Sequence, residues 1–160
     1  MKLHWAAYAM MTVLAWGVYG AFLAKGAEGF GNDRIKAFLF VGIAYLLVAV
    51  LAPVAYIAVN GTGFDFGSHP EGIKWSLIAG TMGAIGALTV LFALNTNPER
   101  GPVAASQVMS LVFAGAPIVA AIYGLILKYQ AGKLGAINPV FIVGLLLAAT
   151  GGALVTLFKP

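Results

Sequence analysis

The 160-residue chain is 61% hydrophobic and only 9% charged, with nine Lys and Arg against five Asp and Glu and no cysteine. A water-soluble fold of this composition would need one enormous core and almost no hydrated surface, so that class is excluded, as are disulfides, thiol nucleophiles and cysteine-ligated metals. The formal charge of +4 is carried by single Lys and Arg residues at helix ends rather than by a basic stripe, which argues against nucleic-acid binding.

Five apolar runs fill the sequence, at about 5–24, 37–59, 75–94, 103–127 and 140–158. Each is near the ~20 residues that a helix needs to cross ~30 Å of hydrocarbon. They predict an all-α integral membrane protein, a single domain built as a bundle of five transmembrane helices. The first run is longer than the ~7–15 apolar residues of a signal core and ends at Lys25 with no small-x-small cleavage site, so it reads as a retained helix.

Turn chemistry marks the joints. Gly26, Gly29 and Gly31 with Asn32 and Asp33 form the first loop, and Arg34 and Lys36 anchor the second helix. The longest connection, 60–74, holds Gly61, Gly63, Gly67 and Pro70, with Phe64 and Phe66 at headgroup level. Residues 95–102 make a tight turn in which Pro102 suits a first helical turn, and Pro139 opens the last helix. Short connections suit antiparallel neighbours, and Trp5, Trp75, Tyr56 and Tyr129 fall where an aromatic belt belongs.

Small residues recur at helical spacing: Ala116, Ala120 and Gly124 on helix four, Gly144, Ala148 and Gly152 on helix five, and Gly80, Gly83, Ala84 and Ala87 on helix three. Such stripes let backbones approach, since packing must replace the hydrophobic drive that water supplies. They serve either packing inside one protomer or a seam between chains, for which Gly144, Ala148 and Gly152 are the candidate dimer face. Pro53 and Pro117 lie well inside spans; each lacks an amide hydrogen and crowds the carbonyl four residues back, at Ala49 and Phe113, which predicts a kink at each.

The middle of every span is free of Asp, Glu, Lys and Arg. A charge there would mark a proton relay or counter-ion, so its absence argues against proton-coupled exchange and charged substrates. His4 and His69 have no partner at metal-ligand spacing, and Ser106 and Ser110 have no base in sequence reach. No phosphate-binding or dinucleotide motif is present. The expectation is therefore no catalytic residue, no metal, no cofactor and no enzymatic activity. Asn60-Gly61-Thr62 fits a glycosylation triplet but hugs the membrane. The polar groups within the spans are uncharged: Ser106, Gln107 and Ser110 on one side of helix four before Pro117, Thr81 and Thr89 on helix three, and Trp16 with Tyr19 on helix one. Hydroxyls, an amide and aromatic faces beside a proline can form a path for a neutral or zwitterionic molecule, through Trp16, Tyr19, Thr81, Ser106, Gln107, Ser110 and Pro117; they can equally tie helices together.

Several of these residues form an order that is similar to a known family. Trp16-Gly-Val-Tyr-Gly20, the stretch from Ala93 through Asn97-Pro98-Glu99-Arg100 to Ser106, the pair Ala116-Pro117 and the Gly-rich last helix from Gly144 to Leu157 resemble a single five-helix EamA-like repeat of the drug/metabolite transporter superfamily. The resemblance spans nearly the whole chain on degenerate motifs. It implies half of a ten-helix transporter, completed by pairing, in a bacterial-type inner (plasma) membrane with a cytoplasmic N-terminus. It also implies that Trp16, Tyr19, Ser106, Gln107 and Pro117 face the path. The chain departs from the family at Lys128-Tyr-Gln130, where a Glu commonly follows the fourth helix, and it lacks the helix-one Glu of small multidrug pumps. Energised cation export is therefore not implied.

The function expected is a small transporter or facilitator of a neutral or zwitterionic metabolite, acting as a homodimer. The alternative is a non-catalytic accessory subunit that docks onto a larger membrane complex. Five crossings put Lys2, Lys74, Lys128 and Lys133 on one side and Lys25, Arg34, Lys36, Arg100 and Lys159 on the other. Four against five leaves almost no bias for the positive-inside rule.

Overall fold

A computed structural model describes residues 4–61 and 63–158, and every regular element among them is helical. The order is α1 (His4–Gly29), α2 (Arg34–Asn60), α3 (Pro70–Thr96), α4 (Gly101–Gln130) and α5 (Pro139–Leu157), all long and apolar enough to cross a membrane. Several helices outrun their apolar stretches: α1 continues to Gly29 rather than 24, and α3 begins at Pro70 rather than 75. Backbone hydrogen bonding runs on until a cap stops it, whereas hydropathy falls at the first charge. The chain divides into two compact units, one made of residues 1–21 with 98–160 and the other of 22–97.

In the unit of residues 22–97, the turn after α1 shows how local chemistry sets the path. Asn32 N–H donates to the Ala27 carbonyl at 2.8 Å and Gly31 N–H to the Glu28 carbonyl at 3.0 Å. This pairing needs left-handed backbone at Gly31 (φ 65°), and Asn32 follows it there (φ 68°). Asp33 then caps α2 by accepting from Lys36 N–H at 3.1 Å, and its carboxylate meets Lys36 Nζ at 3.1 Å. The Phe30 and Phe40 rings stack across the joint at 5.4 Å. Leu23, Ala27 and Ala37 are buried here, and on α3 the buried set is Ala87, Val90, Leu91 and Leu94, one helical face. Gly80 and Gly83, in the expected small-residue steps of α3, lie in open space.

Pro53 does not simply bend α2. The helix widens into a π segment, Leu46–Leu51, between α-helical Arg34–Tyr45 and Ala52–Asn60, and Ala52 N–H donates to the Leu47 carbonyl, five residues back. Widening relieves the crowding of the proline ring against the turn before it. By contrast, α4 stays α-helical through Pro117.

In the unit of residues 1–21 and 98–160, α4 and α5 form an antiparallel hairpin. Asn138 caps α5, its side-chain oxygen accepting from Val140 N–H at 2.9 Å, with Pro139 in the first turn. Gly152 faces Ala114 so closely that a β-carbon would overlap that of Ala114. Outward-facing apolar side chains dominate the surface: Val59 is 85% exposed and Leu147 67%. That surface is untenable in water and ordinary for helices solvated by lipid.

Candidate functional site

The polar residues of α4 gain their setting from what flanks them. Gly20 of α1 is buried against Met109, and a β-carbon there would lie 2.6 Å from Met109 Cγ and 3.7 Å from Ala105 Cβ. One turn earlier on α1, Trp16 meets Phe113 edge-on, with ring centroids 6.4 Å apart, and packs at 5.8 Å from Tyr19. Residues 105, 109 and 113 therefore face α1. On the far side, Ala114 and the Ser110 carbonyl lie against Gly152 of α5. Projected at about 100° per residue, Ser106 and Pro117 fall between these two faces. The sequence-derived group Trp16, Ser106, Ser110 and Pro117 thus lies along one strip bounded by α1 and α5.

The groups in the strip favour accepting hydrogen bonds. The Ser106 hydroxyl donates to the Val103 carbonyl at 2.8 Å, which leaves its lone pairs for another donor. Pro117 has no N–H for the Phe113 carbonyl, and the Phe113 ring is the one that Trp16 touches. Trp16 is 41% exposed and Phe113 39%, so both keep aromatic surface open at their contact. Gln107 and Ser110 are half-buried, and Tyr19 carries a buried hydroxyl. The Phe113 ring was not legible as a site group. Its only sequence signal was its place four residues before Pro117.

Other expected residues lie elsewhere. Thr81 belongs to the unit of residues 22–97, is exposed, and donates its hydroxyl to the Leu77 carbonyl at 2.8 Å, a bond within its own helix. Of the small face on α5, Gly152 packs inside the chain and Ala148 is half-buried, whereas Gly144 meets nothing within 4 Å. Asn60 donates its side-chain amide to the Tyr56 carbonyl at 2.8 Å; Thr62 of its triplet lies outside the described residues, as does the side chain of His4. His69 precedes α3 and lines a cavity of about 550 Å³ with Asp65, Phe66 and Ser76. Among the described residues no three His, Asp or Glu side chains gather as a metal site. Comparison of the chain with known protein families, curated proteins and solved structures finds no match.

Proposed function

We propose that the protein is a small membrane transporter or facilitator for a neutral or zwitterionic metabolite, built as an EamA-like five-helix repeat and working as a dimer in a bacterial-type inner membrane. The observation that carries this reading is the uncharged strip on α4, where Ser106 and Pro117 lie between the Trp16–Phe113 contact on one side and Gly152 on the other. Lone pairs of Ser106, the Phe113 carbonyl, to which Pro117 has no N–H to donate, and two aromatic faces suit the N–H groups or ammonium end of a solute. The Ser110 hydroxyl can donate to its carbonyl or carboxylate end, and Gln107, which the same projection places beyond Ala114, enters the path through the family resemblance. No fixed charge in the spans would hold the solute too tightly to release it.

The test is flux in vesicles that contain only this chain, across a panel of neutral and zwitterionic metabolites. Trp16→Ala and Gln107→Leu should lower flux at least ten-fold while helix content and thermal unfolding stay close to those of the original. If no solute moves, and the chain always purifies within a larger membrane assembly, the accessory-subunit reading replaces this one.

A further inference from the structure

The hairpin end between α4 and α5 carries a second feature, independent of transport. A cavity of about 230 Å³ opens there, lined by Leu125 and Lys128 from α4, Lys133 and Leu134 from the loop, and Asn138 and Phe141 at the start of α5. The loop geometry ties the backbones of its two lysines together. Lys133 N–H donates to the Lys128 carbonyl at 2.9 Å and Gly132 N–H to the Tyr129 carbonyl at 3.0 Å, with Gly132 in the left-handed region at φ 65°. That is the helix stop in which the second residue past the cap bonds back to the last turn. It joins the backbones of Lys128 and Lys133, two of the residues that line the cavity.

Among the described residues no carboxylate pairs with either lysine. Lys36 pairs with Asp33, and Lys74 pairs with Glu71 at 3.4 Å and lies over the Trp75 ring. By contrast, residues 101–160 contain no Asp or Glu at all, and neither Lys128 nor Lys133 has an ion pair among the described residues. Lys128 also offsets the negative end of α4, but one charge suffices for that role. The lining of the cavity combines these two lysines with the apolar side chains of Leu125, Leu134 and Phe141, at the end of two helices long enough to span a membrane. We infer that it seats the phosphate headgroup of an anionic phospholipid, with Lys128 and Lys133 on the phosphate and the acyl chains running down outside Leu125 and Phe141.

The experiment is native mass spectrometry of the delipidated full chain in mild detergent, titrated with phosphatidylglycerol or with phosphatidylcholine of the same acyl chains. At about five-fold per lysine, phosphatidylglycerol should bind roughly 25-fold more tightly than phosphatidylcholine. Lys128→Gln with Lys133→Gln should erase that preference; the matching Arg pair and Lys74→Gln should keep it. Equal binding of the two lipids, or a preference that survives the double Gln change, overturns the proposal. So does displacement of phosphatidylglycerol by an equal concentration of inorganic phosphate, which would mark a free-anion site. If the double Gln protein fails to fold, the lipid ratio of the original chain and the Arg pair decide.

Discussion

At the residue scale, Asp33 shows one side chain setting a helix start and tying it to pH. The Lys36 backbone N–H donating to its carboxylate, then the Lys36 side chain, hold its pKa below the ordinary value. A carboxylate whose pKa is lower folded than unfolded supports the fold above the unfolded value, and that support goes as pH falls through the folded one. The Lys36 amide should therefore stay protected from hydrogen exchange throughout the neutral range and lose protection only in acid, below where a free aspartate titrates. Loss already above that range would sink this account of the cap. Asp33 was read from the sequence as a loop residue beside Gly31 and Asn32, which placed the turn. Its capping bond was not legible, because the choice among nearby N–H donors depends on backbone angles that composition does not carry.

At the element scale, the small residues of α5 divide by what they touch. A side chain at Gly152 would collide with Ala114, whose backbone cannot give way as a flexible chain end can, so Gly152→Leu should force α4 and α5 apart. Overpacking of this kind costs about 1–3 kcal/mol, read as a lower unfolding temperature in detergent. Gly144 opens onto free space, and Gly144→Leu should change the stability of the single chain by no more than about 0.5 kcal/mol. If Gly144→Leu instead splits a dimer in cross-linking while the monomer stays folded, the outer part of this face is a seam between chains. Periodicity revealed the stripe, since a small residue at every fourth position is visible in one dimension. It could not say which glycine meets a neighbour, because that depends on where two helices cross. The π segment of α2 was similarly hidden: Pro53 announced a disturbance, and the expectation was a kink with a stranded carbonyl at Ala49. The structure adds that the turn before the proline widens over six residues, Leu46–Leu51, a detail that the position of a proline in the sequence does not carry.

At the scale of the whole molecule, five apolar helices were the most legible feature, because the length needed to cross hydrocarbon is a physical constant of the bilayer. Cysteines placed singly at Ala44, Ile85 and Leu146 should resist aqueous thiol reagents in membranes, whereas one at Ser68, in the loop before α3, should react. Rapid labelling at all three interior positions would refute insertion. The Lys and Arg count of four against five further predicts weakly fixed orientation; reporters fused to the C-terminus should then give signal on both sides, and a strictly one-sided signal would exclude dual insertion. The strip on α4 was half legible: its polar members could be named, but the aromatic wall at Phe113 needed three dimensions. Five helices of this kind, if each crosses once, also govern how copies of this chain can be joined. Two copies linked end to end by a short loop would thread in opposite senses, the second entering from the face on which the first had finished. A tandem gene would thus fix an inverted pair in equal numbers on one polypeptide, a balance that separate chains must reach through the chance of each insertion.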